Sequence, residues 1–494
     1  MTKKLWIVSA FMLIPFWVVA QDQAELVENT IKKSTIEGHI YFLASDELAG
    51  RETGTPGIDV AARYISTTFQ RYGVSPVKGA TEGYFQEVPL VKNIAPEAYG
   101  IKIGKEAVDA ENILRLEGSG VNVESDFVFL NYGTEEDFNN SNIKGKVVVV
   151  FAGQKDNQDY RFVYQASAKK SNLAKEAGAI GIIELHKDNP DNWKTFQSFM
   201  NRGSSIGFAS ENNLDSFFKL WVNDPDGTWT NRINLKMKQK LAITIGEAMA
   251  LPIPSKNVVG MVEGTDPELK DEFIIYSAHY DHLGIGKPNA EGDSIYNGAR
   301  DNAVGVVTVM SAAESIAKNP TKRSALFILF TAEEKGLLGS KYYVENPLLP
   351  LDQMVYCFNS DNGGYNDTSL ATIIGLERTT AGKHIKKASE TFGLKAIDDP
   401  AGEQGLFDRS DNVNFAKKGI PAPTFSLGFT AFDAEIGKYY HQQSDNPESI
   451  DYEYMEQFFR AFVLSARLIA NDAETPFWIE GDKYYEAGKS LYGK

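Results

Sequence analysis

Five side chains of metal-seeking type stand where apolar runs of the chain end: His279 in SAHYDHLG, Asp301 in ARDNAVG, Glu334 in TAEEKGLLG, Asp361 in NSDNGG and His441 in YYHQQSD. Zinc takes imidazole nitrogen and carboxylate oxygen, and two zinc ions about 3.5–4 Å apart require a bridging carboxylate with terminal ligands on either side. Two histidines and three carboxylates meet that demand. A hydrolytic centre of this kind also needs a base that binds no metal and takes the proton of the attacking water; Glu333, beside Glu334, is the candidate.

The elements that must position these groups are short and β-forming. FIIYS (Phe273–Ser277) precedes His279, LFILFT (Leu326–Thr331) precedes Glu333 and Glu334, and MVYCFN (Met354–Asn359) precedes Asp361. Such runs are expected to be buried strands of an α/β sheet, whose sites form past the carboxyl ends of the strands. Asp301 instead precedes a helical stripe of Val306, Val309, Met310, Ala313, Ile316 and Ala317, a position that a plain helix cap would also take. Taken singly, His279 reads as a core histidine and Glu333–Glu334 as a solvated pair; five ligand-type residues after five such runs are hard to obtain by accident.

The order HYDHLG, GARDNAVGV, FTAEEKGLLGS, NSDNGG, YYHQQSD resembles the M28 family of zinc exopeptidases, whose best-known members are secreted aminopeptidases. LASDELAGRETGTPG (Leu43–Gly57) is similar to that family's N-terminal segment, and FDRSDNVNFAKKGIPAPTF (Phe407–Phe425) to the stretch before its last ligand. The resemblance implies a three-layer αβα sandwich with a mixed, mostly parallel central sheet of the phosphorylase/hydrolase-like kind. It also implies two zinc ions: His279 and Asp361 on one, Glu334 and His441 on the other, Asp301 bridging, Glu333 as general base, and Asp281 orienting His279 from behind. The implied reaction is attack on a peptide carbonyl by a water whose proton Glu333 removes and then delivers to the leaving amine. Two positions depart from the family's commoner pattern. NSDNGG replaces an Asp-Met-Ile-Gly style of sequence at the pocket wall, and Arg300 stands where an uncharged polar residue is usual.

A chain of 494 residues exceeds one ordinary core. The family-like segments leave a middle block in which IKGKVVVVFAG (Ile143–Gly153) is a strand signal and NLAKEAGAIGIIEL (Asn172–Leu185) a helix followed by a strand. The block resembles the protease-associated domain, a small β-rich module, and is expected over residues 110–254, with the catalytic domain over 21–109 and 255–494. The Pro-rich LPIPSKN (Leu251–Asn257) marks the return. Lys3 and Lys4 before the apolar stretch Leu5–Val19, with Ala20 at the cut, read as a signal peptide over residues 1–20. The expectation is an exported protein, periplasmic or extracellular, with no membrane span in the mature chain. A net charge of −16 without a basic run argues against nucleic acid as partner. Peptides are the expected substrates; the sequence leaves the oligomeric state open.

Competing chemistry is weaker. Cys357, the only cysteine, lies inside a strand and reads as a small buried residue. Gly203-Ser204-Ser205-Ile206-Gly207 matches G-x-S-x-G without a convincing strand before it. The alternatives to an aminopeptidase are a carboxypeptidase or dipeptidase of the same fold, with Arg300 or Arg409 as counter-ion for a terminal carboxylate, and a non-catalytic binding ectodomain. The related glutaminyl cyclases bind one metal, against the five-ligand set here.

Overall fold

The structure is a computed structural model that describes residues 17–155, 157, 160–200, 204–211, 217–235 and 239–493. Most of the expected signal peptide, residues 1–16, lies outside the described residues; a helix α1 (Trp17–Thr30) runs across the expected cleavage point. The chain divides into two compact units, one made of the residues before Pro89 together with Pro254–Lys494, the other of Pro89–Ile253.

The first unit is built on a nine-stranded sheet. In chain order its strands are β1 (Ser75–Pro76), β2 (Phe85–Glu87), β3 (Lys256–Val262), β4 (Phe273–His279), β5 (Ser324–Phe330), β6 (Met354–Ser360), β7 (Leu370–Ile374), β8 (Lys395–Ile397) and β9 (Thr424–Leu427). The spatial order is β1-β3-β5-β4-β6-β9-β7-β8, with β2 also on β3. Strands β5, β4, β6 and β9 run parallel, as do β7 and β8. The pairs β1/β3, β2/β3, β3/β5 and β7/β9 are antiparallel, so the sheet is evenly mixed rather than mostly parallel. The parallel run is the part that carries the site, since all its strands end at one edge.

Alternate residues of the central strands enter two apolar clusters. Ile274, Tyr276, Ala278, Phe327 and Phe358 join the first; Phe273, Ile275, Leu326, Ile328 and Cys357 join the second. The first is completed by helices α2 (Lys33–Leu43), α3 (Pro56–Tyr72), α4 (Gly305–Lys318), α5 (Gly382–Thr391) and α6 (Tyr452–Asn471). α3 begins with Pro56 at its first turn, buries Ile58, Ala61, Ala62, Ile65 and Phe69, and ends at Gly73 with φ 83°, where a left-handed residue closes a helix at least cost. α6 starts on Asp451, whose carboxylate accepts from Glu453 N and Tyr454 N, and buries Met455, Phe458, Phe459, Phe462, Ala466 and Ile469.

The second unit holds a five-stranded sheet in the order Ile113–Glu117, Phe218–Asn223, Gly181–His186, Val147–Phe151, Phe127–Phe129, with a four-stranded and a three-stranded sheet beside it. The expected strand in IKGKVVVVFAG is Val147–Phe151, and the helix and strand of NLAKEAGAIGIIEL are Tyr160–Glu176 and Gly181–His186. The expected start at residue 110 falls inside this unit. Leu90–Ile94 pairs with Ser204–Phe208 and Met249–Ile253, and Tyr99–Ile103 pairs with Leu241–Ile245, which binds residues 89–109 to the second unit. Ser204 and Ser205 lie in the strand Ser204–Phe208 rather than in a strand-to-helix elbow, and Gly203 lies outside the described residues.

Candidate metal centre

His279 is the last residue of β4, level with Phe330 at the end of β5, and Asp361 follows Ser360 at the end of β6. Three neighbouring strands therefore deliver His279, the Glu333–Glu334 turn and Asp361 to one edge. Asp301 arrives on an irregular turn before α4, with φ −108° and ψ 90°, and its peptide bond to Asn302 is cis. Asp301 does not cap α4: Asn302 Oδ1 accepts from Gly305 N at 3.1 Å. His441 comes from the loop after Ala434–Gly437.

These side chains meet around Asp301. Its Oδ1 is 3.3 Å from His279 Nε2, which is also 3.3 Å from Asp361 Oδ1. Its Oδ2 is 3.2 Å from His441 Nε2, which is 3.4 Å from Glu334 Oε2. One carboxylate thus stands between a His–Asp pair and a His–Glu pair. A wider grouping also exists: donor atoms of His279, Glu333 and Asp361 lie within 4.8 Å of one another, as do those of His282, Asp301 and Glu334. His282 is fully buried, with Nδ1 2.8 Å from Glu334 Oε1, so it holds the oxygen of Glu334 that His441 does not face.

His279 Nδ1 lies 3.2 Å from the backbone oxygen of Asp281. A proton donated there leaves the Nε2 lone pair facing the oxygens of Asp301 and Asp361. Lone pairs facing lone pairs repel unless a cation sits between them, and nitrogen and carboxylate oxygen are donors that zinc accepts. The residues present fit the metal. Burial disfavours charge on both imidazoles, yet the carboxylates outweigh it. Glu333, Asp361 and Asp301 hold His279 well above its ordinary range, and Asp301 with Glu334 raises His441 to about 10. Burial raises the Glu333 carboxyl well above the usual carboxylate range; His279 opposes this, and Asp361, Asp411 and Glu334 add to it.

The Asp281 side chain does not hold His279, its Oδ1 lying 3.8 Å from Nδ1. It accepts instead from Glu333 N at 3.0 Å, Glu334 N at 3.3 Å and Thr53 Oγ1 at 3.2 Å. The main chain of Asp281 orients the histidine and its carboxylate orients the glutamates.

Arg300, expected as a possible counter-ion for substrate, is held in the interior. It is 2% exposed, donates from Nη1 to Asp445 Oδ1 at 3.2 Å and to Ser449 Oγ, and lies 3.6 Å from the centre of the Tyr439 ring. It turns away from the site. Asp445 also accepts from the main-chain N–H of Arg300 and of Asp301. Asn362, at the unusual NSDNGG sequence, is buried too: it donates to Asn302 Oδ1 and accepts from Leu427 N. The wall there is made by Gly363 and Gly364.

A cavity of about 420 Å³ opens on the centre. His279, Asp301, Glu333, Glu334, Asp361 and His441 line its floor, and Ile374, Leu406, Phe429, Phe432, Ile436 and Tyr440 form an apolar wall with Asp408 and Arg409. Arg409 Nη2 donates to Tyr440 Oη at 3.3 Å. Cys357 is buried away from this cavity, with its thiol pushed up to about 12 by burial. Asp445, Asp411 and Arg51, all buried close to the ligands in charge terms, escaped the sequence reading. The signal for Asp445 was its place in YYHQQSD; Arg51 lay within the quoted LASDELAGRETGTPG.

Residues 257–466 match the sequence model of Peptidase family M28. Aminopeptidase YwaD of Bacillus subtilis is 28% identical over 206 residues, 41% of this chain and 42% of that protein. Aminopeptidase Y of Saccharomyces cerevisiae is 23% identical over 238 residues, 45% of this chain and 39% of that protein. The chain spans less than half the length of these curated relatives. An aminopeptidase structure from Aneurinibacillus sp. strain AM-1 has the same fold, with a TM-score of 0.56 and 20% identity over 92% of this chain and 97% of that one.

Proposed function

We propose that the chain is an exported zinc-dependent exopeptidase that removes residues from the free amino end of peptides. The carrying observation is the placement of Asp301, one oxygen toward His279 and Asp361 and the other toward His441 and Glu334, on the floor of a cavity that Glu333 also lines. In this reading His279 and Asp361 would hold one zinc and Glu334 and His441 a second, with the Asp301 carboxylate available to both. Bound there, zinc would polarise the scissile carbonyl and acidify the attacking water. Glu333, its backbone N–H fixed by Asp281, takes the proton of that water and returns it to the leaving amine. Burial and the neighbouring carboxylates raise its proton affinity above that of an ordinary carboxylate, the direction a proton-shuttling group needs.

Polarity of attack follows from charge. The acidic floor favours a substrate ammonium, and the apolar wall offers a place for its first side chain. Arg300, one of the two candidate counter-ions for a carboxy-terminal substrate, is committed to Asp445 and Ser449; Arg409 alone remains at the cavity. The second unit is read as the protease-associated module over Pro89–Ile253. Among the described residues no helix is long and apolar enough to cross a membrane.

The test is cleavage of matched peptides, free or blocked at each end, with and without a chelator. Loss of cleavage on blocking the amino end and on chelation is expected. Cleavage that needs a free carboxyl end instead would replace this reading by a carboxypeptidase centred on Arg409.

A further inference from the structure

Three consecutive residues outside the matched segment 257–466 together reach three loops of the centre. Arg51 is 1% exposed, and its guanidinium donates to Tyr280 O at 3.0 Å, Asn297 O at 2.7 Å, Gly298 O at 3.0 Å and Leu43 O. Its own carbonyl accepts from His282 N at 3.2 Å. Glu52 Oε1 is 3.0 Å from Lys335 Nζ, the residue after Glu334. Thr53 Oγ1 donates to Asp281 Oδ2, the carboxylate that holds Glu333 N and Glu334 N. The loops so reached are those of His279, Asp301 and Glu333–Glu334.

The backbone that makes this possible is held in an unfavourable form. Ala49 and Arg51 have φ of 48° and 49°, and Gly50 between them has φ 69°. A Cβ on Gly50 would stand 2.6 Å from Gly284 O and from Tyr296 O, so only glycine lets the segment pass so close to the paired strands Gly284–Ile285 and Ile295–Tyr296. Non-glycine residues stay left-handed only where surrounding contacts impose it, and such strain gathers at functional sites. Here the imposing contacts are the hydrogen bonds of Arg51, Glu52 and Thr53.

We propose that Arg51, Glu52 and Thr53 form a positioning strap that sets the loops bearing His279, Asp301, Glu333 and Glu334 at the spacing the metal ions need. The proposal rests on the zinc-peptidase reading of those loops. The strap residues are not among those that line the cavity. They act through others: Thr53 through Asp281, Glu52 through Lys335, Arg51 through the carbonyls of Tyr280, Asn297 and Gly298. Carboxylates behind ligands commonly govern metal affinity by such indirect holding, and their loss costs about 10–100-fold in affinity or activity.

Thr53→Val keeps the shape of the side chain and removes only the hydroxyl. It is expected to fold as the parent does, to hold zinc about ten-fold less tightly in competition with a chelating dye, and to lose about ten-fold in kcat with KM little changed. Thr53→Ser restores the hydroxyl and is expected to restore both readings. Parental zinc affinity and kcat in Thr53→Val, or failure of Thr53→Ser to recover them, overturns the strap. Should Thr53→Val not fold, Glu52→Gln carries the test, since Glu52 is 38% exposed at its side chain; parental zinc affinity and kcat in that variant overturn the proposal. If the parent binds zinc yet cleaves no peptide, the peptidase reading falls and zinc affinity alone decides the strap. A parent that binds no zinc overturns both.

Discussion

Replacing Glu333 by glutamine separates the two parts that a carboxylate here can play. The amide has the same length, and the main-chain N–H that Asp281 Oδ1 accepts at 3.0 Å is untouched, so the turn carrying Glu334 keeps its place. What disappears is the proton-accepting oxygen. Burial, with Asp361, Asp411 and Glu334 nearby, raises that oxygen's proton affinity, and general-base catalysis by a positioned side chain is worth about 10²–10⁴ in rate. At about 1.4 kcal/mol per tenfold, the barrier should rise by about 3–5.5 kcal/mol. The assay is kcat on an amino-terminal chromogenic amide beside elemental zinc analysis of the same sample. Full zinc content with kcat lowered by two to four decades and KM little changed is expected. Activity within tenfold of the parent refutes the role, and loss of zinc shows instead that Glu333 ligates with His279 and Asp361, a grouping the donor distances also allow.

Two further outcomes follow from the same geometry. Arg300→Met should leave the choice of peptide terminus unchanged but strand the Asp445 carboxylate in the interior, costing about 3–5 kcal/mol in unfolding measurements; a switch of terminus with unchanged stability would contradict this. Zinc affinity should rise with pH. The surrounding carboxylates raise both imidazoles above their ordinary value, His441 to about 10, so near neutral pH zinc must displace a proton from His441, and the raised His279 acts in the same direction. The stability constant should then gain up to about two decades per pH unit below that value, and chelator competition giving the same constant at about pH 6 and about pH 8 would show the imidazoles to be neutral.

The strands were legible because their burial is written in consecutive apolar residues. Phe273–His279, Ser324–Phe330 and Met354–Ser360 fall within one or two residues of the runs that announced them. His279, Glu334 and Asp361 were legible as candidate ligands because each follows such a run. Partnerships across long sequence distances were not. Arg300 and Asp445 are 145 positions apart, and nothing local says that the arginine turns inward to that carboxylate. The family resemblance made Asp281 a partner of His279, whereas its side chain accepts from a turn 52 residues further on. The misplaced boundary has the same origin: Leu90–Ile94 belongs with Met249–Ile253, a pairing with no trace in the intervening composition.

That boundary bears on the order in which the molecule can be made. The chain leaves the first unit after β2 and re-enters it at β3, which pairs antiparallel with β2, and Val88 N donates to Ser255 O where the two crossings meet. During synthesis from the amino end, every strand of the second unit has its partners once Ile253 has emerged. At that moment β1 and β2 still lack their strand partner among the described residues, β3. The inserted unit can close while α3 still waits for the strand it packs on, so the nine-stranded sheet is completed later in synthesis than the inserted unit.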